Sequence, residues 1–100
     1  DELVWDEKAM FGLKFPGGEI YSHHVILGRH SYEIHGLSYD QFKACIEEIK
    51  DLGFTQKVEE NEYRYKGYHE KYNNRFIWIE YIHTEGTNIF DHVDIHAGHD

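Results

Sequence analysis

One stretch of the chain repeats apolar residues every three or four positions and places charged residues between them. This period puts the apolar side chains on a single face of a helix. At its start, Ser38 and Gln41 have the spacing of a capping box, and at its end Gly53 can adopt the left-handed conformation that terminates helices. The pattern therefore predicts one amphipathic helix over about residues 38–52.

On both sides of this helix, apolar and polar residues alternate in runs rich in β-branched and aromatic types, which predicts strands. The predicted strands cover about residues 19–27, 30–35, 54–58, 63–69, 75–84 and 89–95. The tail from residue 97 onward is expected to fray. Because so short a helix is marginal alone in water, a sheet must cover its apolar face. The predicted fold class is α+β, an antiparallel sheet of about five to six strands with one helix packed on one face.

A chain of 100 residues is long enough for one modest core. We therefore predict a single α+β domain over residues 1–100, with residues 1–16 as an extended N-terminal segment that closes at the Pro16 turn. A short turn or helix is expected around residues 6–11, and Trp5 is expected to pack over one end of the core.

Alternation along a strand predicts which residues share a side of the sheet. In the run 75–84, Ile77 and Ile79 fall on the side opposite Phe76 and Trp78. The smaller, aliphatic pair is expected to lie under the helix. In the first strand, strict alternation predicts one shared side for a set of four residues: Ile20, Ser22, His24 and Ile26.

The net charge of −9 narrows the range of possible partners, since acidic residues outnumber basic ones and the basic residues do not cluster in the sequence. This balance argues against binding to nucleic acid or to an anionic membrane surface, which both require lysine and arginine. Cys45 is the one cysteine and lies on the apolar face of the predicted helix, so we expect it to pack in the core. No apolar run approaches the ~20 residues of a membrane span.

The sequence contains no phosphate loop, nucleophile elbow or zinc-binding cysteine pair, so we predict no catalytic residues and no cofactor. Its aromatic residues are more numerous than one helix can cover. Some should therefore lie on the uncovered side of the sheet, where a protein or carbohydrate partner could bind. The predicted binding residues are Tyr65, Tyr72, Phe76, Trp78 and Tyr81. The alternative is that the N-terminal segment covers this side, or that the rings only pair across strands.

A second hypothesis concerns His92, Asp94 and His96, which share one side of the last predicted strand. Adjacent members of this set are ~6.5 Å apart, so either histidine could share a divalent ion with the aspartate. The two histidines are about 13 Å apart, too far to bind the same ion, and a further ligand must come from a neighbouring strand. The alternative is an ordinary solvated face.

The run Cys45-Ile46-x-x-Ile49-Lys50-x-Leu52-Gly53-Phe54-Thr55, followed by Tyr72-Asn73 and a strand ending in Glu80-Tyr81, resembles a family of uncharacterised bacterial domains. Those domains occur in lipoproteins or behind a membrane anchor. The likeness covers about residues 9–95. It implies an extracytoplasmic location and no known activity, which favours binding over catalysis.

We therefore expect a non-enzymatic, extracytoplasmic interaction domain, lipid-anchored through a removed N-terminal segment, with a cytoplasmic location as the alternative. A second functional reading is a small acidic inhibitor of a basic, nucleic-acid-binding protein, which presents carboxylates in place of phosphates. A third is a metal-binding protein that uses the histidine-rich strand.

Overall fold

Six strands and one helix make up the part of the chain that the computed structural model describes, residues 3–83 and 91–100. In chain order the elements are β1 (Glu19–Ile26), β2 (Arg29–His35), α1 (Tyr39–Asp51), β3 (Phe54–Asn61), β4 (Arg64–His69), β5 (Arg75–Ile82) and β6 (His92–His99). The strands form one antiparallel sheet in the order β1-β2-β6-β5-β4-β3. The α+β class is confirmed. The predicted strand residues 84 and 89–90 lie outside the described ranges.

Helix α1 begins and ends where its capping residues predict. The Gln41 backbone N–H donates to Ser38 Oγ at 3.1 Å, and the Ser38 backbone N–H donates to Gln41 Oε1 at 2.9 Å. These two bonds form the capping box and satisfy donors that the first turn leaves without partners. Gly53 follows the helix with φ of 99°, a conformation that costs glycine little.

The last strand differs from its prediction. β6 continues to His99, and Ala97 is completely buried, so the expected fraying at residue 97 is wrong. β6 pairs with β2 on one edge and with β5 on the other. Both backbone edges of this strand are therefore hydrogen-bonded, and the Asp100 N–H continues the pairing by donating to Asn74 O at 2.9 Å.

A bulge in β1 corrects the predicted alternation. Ile20 pairs with Ile34 while Ser22 pairs with Glu33, so Tyr21 is an extra residue without a partner in the register. A bulge reverses which side the following residues face. Ile20 consequently packs against the core. The other three residues expected on its side, Ser22, His24 and Ile26, face the opposite side of the sheet.

One hydrophobic cluster joins helix, strands and N-terminal segment. Ile77 and Ile79 are fully buried in it, as predicted. Met10 and Leu13 are also fully buried. Residues 7–12 form turns, which agrees with the turn or helix expected around residues 6–11, so the N-terminal segment is not extended throughout. Burial, with Glu48 nearby, raises the pKa of the Cys45 thiol to about 12, in keeping with a role in packing.

Candidate functional site

The side of the sheet that points away from this cluster is here named the outer face. Strand pairing arranges its side chains in rows across the sheet, because directly paired residues point the same way. The three rows used below are His35, His92 and Ile82; then Glu33, Asp94, Glu80 and Arg64; then Ser31, His96, Trp78 and Lys66.

The structure separates the five aromatic residues predicted to bind a partner. Phe76 and Trp78 lie on the outer face, in neighbouring rows of β5. Tyr65 belongs to the core cluster and is 1% exposed, and its hydroxyl donates to Phe54 O at 2.6 Å. Tyr65 is therefore inaccessible to a partner, which corrects its assignment to a binding surface. Alternation places it on the same side of β4 as Gly67, where a Cβ atom would lie 3.1 Å from the Tyr65 hydroxyl oxygen.

The other two predicted residues lie apart from Trp78. Tyr81 packs on the core side, where its ring centroid is 5.6 Å from that of Tyr39 in an edge-on contact. Tyr72 is exposed between β4 and β5, and Arg75 stacks over its ring at 4.4 Å. No single surface can therefore include all five aromatic side chains, and Phe76 and Trp78 are the pair that the outer face brings together.

Three cationic side chains surround Trp78, although the chain as a whole is acidic. Arg64 Cζ lies 4.8 Å from the indole centroid, Arg29 Cζ lies 5.9 Å away, and Lys66 Nζ lies 5.9 Å away. Lys66 Nζ also lies 5.1 Å from the Phe76 ring. Each contact is within the range of a cation–π interaction. We name this group, Arg29, Arg64, Lys66, Phe76 and Trp78, the Trp78 cluster.

Donor atoms in the Trp78 cluster lack acceptors. Trp78 Nε1 and Arg64 Nε are buried atoms without a hydrogen-bond partner in the described ranges. Within those ranges none of Arg29, Arg64 and Lys66 forms an ion pair, whereas Lys50 on the helix pairs with Glu47 and Glu60. A buried N–H without an acceptor loses its hydration and gains nothing in exchange. The three cations therefore have no carboxylate partner in the described ranges.

His96 stands beside the Trp78 cluster rather than in a metal site with His92. Its Nδ1 lies 2.8 Å from Ser31 Oγ, and its ring centroid lies 4.7 Å from that of Trp78. Burial, and then the nearby Arg29 charge, lower its pKa to about 4. The predicted set of His92, Asp94 and His96 is thus divided among three successive rows, and His96 contacts Ser31 and Trp78.

A different group surrounds His92. The ligand atoms of Glu33, His35 and His92 all lie within 4.8 Å of one another. His35 Nε2 is 2.6 Å from Glu33 Oε2, and His92 Nε2 is 3.7 Å from Asp94 Oδ1. Burial is the main cause that raises the pKa of Asp94, and the negative charges of Glu33 and Glu80 add to it. We name Glu33, His35 and His92 the histidine cluster.

Sequence reasoning missed the residues of β2 in this group. Glu33 and His35 are two apart in a predicted strand, which is the same signal that drew attention to His92 and Asp94. What the sequence could not supply was the pairing of β2 with β6, which sets His35 opposite His92. The cations of the Trp78 cluster were missed for the same reason, because they come from β2 and β4.

Cavities adjoin parts of this surface. A groove of about 430 Å³ runs between the β1–β2 turn and the Trp78 cluster. A larger cavity of about 740 Å³ lies between the N-terminal segment and the start of β1, and one of about 540 Å³ includes Tyr72 and Arg75. Of these three, the groove includes residues of the Trp78 cluster.

No helix in residues 3–83 and 91–100 has the length and apolar character needed to cross a membrane. Comparisons with protein-family models, with curated proteins and with solved structures found no match to this chain. The resemblance to uncharacterised lipoprotein domains therefore stays a prediction, and function has to be argued from the geometry.

Proposed function

We propose that this chain is a non-enzymatic interaction domain that binds an acidic segment of a protein partner at the Trp78 cluster. The observation that carries the proposal is the presence of three cations around one indole, with no ion pair to any carboxylate in the described part of the chain. Carboxylates of a partner would pair with these cations through charge-assisted hydrogen bonds.

The proposal includes the position of α1 on the core side of the sheet. Contacts between rings support this, since Phe42 lies 5.6 Å from Tyr81 and Tyr39 lies 5.6 Å from the same ring. The buried residues of α1 also share a cluster with Ile77 and Ile79. With the helix on that side, the outer face is left for a partner.

The groove beside the cluster suggests how the partner segment is held. The exposed apolar side chains of Ile26 and Leu27 form its rim at the β1–β2 turn. The other residues that line it are Arg29, Ser31, Lys66, Phe76, His99 and Asp100, of which Asp100 carries the one carboxylate side chain. An acidic segment with an apolar residue would place carboxylates against the cations and the apolar side chain against the rim. Charge complementarity of this kind contributes mainly to specificity and to the association rate.

The charge of the surrounding surface favours an acidic peptide over a nucleic acid. Glu33, Asp94 and Glu80 occupy the neighbouring row, and the chain carries a net charge of −9. A polyanion with a phosphate at every residue would bring further negative charge against that row, which is unfavourable. A short segment in the groove would contact Arg29 and Lys66, which line it, without extending over the carboxylates of that row.

Fluorescence anisotropy with two labelled synthetic peptides tests the proposal. One peptide contains Glu, Leu and Gly, and its control contains Lys in place of every Glu. We expect the acidic peptide to bind, with affinity that falls as salt is added, and the basic peptide to bind at least about tenfold more weakly.

Charge-removing variants locate the site. Arg64→Gln and Lys66→Gln should each weaken binding about fivefold, the equivalent of about 1 kcal/mol. Lys43→Gln removes the same charge from an exposed position on α1 and should change the affinity less than about twofold. Equal binding of the two peptides, equal effects of all three variants, or tighter binding of an oligonucleotide or a sulfated oligosaccharide would contradict the proposal.

The resemblance to lipoprotein domains adds a proposed location outside the cytoplasm, tethered by a lipid anchor. Fractionation of cells that express the full-length protein tests it. Recovery in the membrane or extracellular fraction is expected, and recovery in the cytoplasm alone contradicts it.

A further inference from the structure

We propose that the histidine cluster is a binding site for a divalent transition-metal ion of the Zn²⁺ class. Glu33, His35 and His92 supply three ligand atoms, and Asp94 supplies a carboxylate beside them. This inference is independent of the Trp78 cluster, because it rests on different residues and on a different chemistry.

The pairing of β2 with β6 brings the ligands together from two distant parts of the chain. His35 pairs directly with His92, and Glu33 pairs directly with Asp94, so two histidines and two carboxylates occupy the corners of a four-residue patch. All four point to the outer face, since Ile34 and Val93 between them are fully buried in the core. The patch is a product of the register, because a shift of one residue would turn these side chains into the core.

The distances fit a metal site after small side-chain rotations. Two ligand atoms at ~2.1 Å from one ion are about 3.4 Å apart in a tetrahedral site, so the widest separation must shrink by up to about 1.4 Å. That separation is at most 4.8 Å. The imidazole of His35 is already oriented, since Tyr21 stacks on it at 4.4 Å between ring centroids with an interplanar angle of 7°.

The surroundings of the cluster favour a cation. The side chains of His92, His35 and Glu33 are 16%, 28% and 29% exposed, so each is partly withdrawn from water. The row of Glu33, Asp94 and Glu80 places three carboxylates on adjacent strands, and Arg64 is the one cation in that row. Like charges directly opposite each other are unfavourable, and a bound divalent ion would offset them.

The ligand types indicate which metal ions should bind. Imidazole nitrogen prefers Zn²⁺, Ni²⁺, Cu²⁺ and Co²⁺, whereas Mg²⁺ and Ca²⁺ prefer sites made only of oxygen ligands. With two imidazoles and one or two carboxylates, the cluster should select Zn²⁺ over Mg²⁺. Because these three or four ligands form one group, one ion per chain is expected.

Isothermal titration calorimetry of the full chain with ZnCl₂, and separately with MgCl₂, tests the site. We expect one equivalent of Zn²⁺ to bind with a dissociation constant below about 10 μM, and no heat from Mg²⁺ under the same conditions. The visible absorption of added Co²⁺ provides a second readout, because four-coordinate Co²⁺ absorbs far more strongly than the hydrated ion.

Three single variants distinguish this site from general binding to surface histidines. His35→Ala and His92→Ala should each weaken Zn²⁺ binding about tenfold or more. His24→Ala removes an exposed histidine outside the cluster and should change the affinity less than about twofold. Circular dichroism of each variant checks that the sheet is intact.

Several outcomes would overturn the proposal. They are an absence of heat with Zn²⁺, a stoichiometry above one that none of the variants alters, and an equal loss of affinity in His24→Ala. A greater loss in His96→Ala than in His35→Ala would also overturn it, in favour of ligands on β6 alone. The binding of the acidic peptide to the Trp78 cluster is a separate measurement, so either proposal can fail without the other.

Discussion

On the core side of the sheet, buried hydroxyl groups have hydrogen-bond partners, whereas on the outer face two buried N–H groups have none in the described ranges. Tyr32 Oη donates to Val4 O at 3.0 Å, and Tyr65 Oη donates to Phe54 O at 2.6 Å. Trp78 Nε1 and Arg64 Nε lack such partners. Buried polar groups inside proteins normally have hydrogen-bond partners. The arrangement of the outer face is therefore not explained by its contribution to stability.

Charge follows the same division. The described ranges contain no buried charged residue on the core side, while the outer face carries three cations around Trp78 and three carboxylates in the next row. Holding like charges close together costs free energy when no ligand is bound, and the same charges attract a ligand of opposite charge. The two sides therefore differ in kind: the core side is apolar with its buried hydroxyl groups hydrogen-bonded, and the outer face carries the charges on which the proposed binding depends.

The largest expected effect is on the core side. Ile95→Ala removes a fully buried side chain from the central strand β6 and should lower the free energy of unfolding by about 2–5 kcal/mol. Ile26→Ala makes the same chemical change where the side chain is 69% exposed, and should change stability by less than about 0.5 kcal/mol. Urea denaturation measures both. Equal losses would remove the contrast between the two positions.

A smaller effect is expected from single hydroxyl groups. Tyr65→Phe leaves the Phe54 carbonyl without its buried donor and should lower the free energy of unfolding by about 1–3 kcal/mol. Tyr68→Phe removes an exposed hydrogen bond to Asp100 and should cost less than about 1 kcal/mol. Thermal and urea denaturation of the pair test this order. A greater loss in Tyr68→Phe would contradict it.

The pH dependence of stability should report on His96. Burial lowers the pKa of this imidazole in the folded chain to about 4, while in the unfolded chain it takes up a proton near the ordinary histidine pKa of 6.5. The unfolded state therefore binds more protons between these values, and stability falls as the pH drops from 6.5 towards 4.

His96→Gln should remove on the order of 1 kcal/mol of that loss between about pH 7 and about pH 4.5. Urea denaturation at the two pH values measures the loss, and His24→Gln, at an exposed position, serves as the matched control. If both variants lose stability with acid as the wild type does, His96 does not control the dependence.

The smallest expected effect concerns the β1–β2 turn. Leu27 has φ of 51° and is 97% exposed, an unfavourable conformation for leucine and an unfavourable environment for its side chain. Leu27→Asn should raise the free energy of unfolding by about 0.5 kcal/mol, since asparagine tolerates this conformation. The same variant should weaken binding of the acidic, leucine-containing peptide. Higher stability with unchanged binding would show that the rim does not contact the partner.

Local signals predicted much of the fold. The capping box at Ser38, the helix end at Gly53 and the burial of Ile77 and Ile79 all depend on residues close in sequence or on simple periodicity. Two errors have a different origin. The bulge at Tyr21 and the pairing of residues 97–99 depend on neighbouring strands, which periodicity within one strand does not reveal.

The candidate sites show the same limit. The strand of His92 and Asp94 was recognised, but His35 and Glu33 join it only through the pairing of β2 with β6. In the same way Trp78 was predicted to face outward, while Arg29 and Arg64 reach it from β2 and β4.

By itself, the sequence determined the helix, most of the strands and which residues of a strand share a side, because capping and alternation act over a few neighbouring positions. Only the tertiary structure decided the strand order, and with it which charges and rings stand together on the outer face. The physical reason is that cross-strand contacts between distant residues depend on register, which is set by the packing of the whole sheet rather than by any one segment.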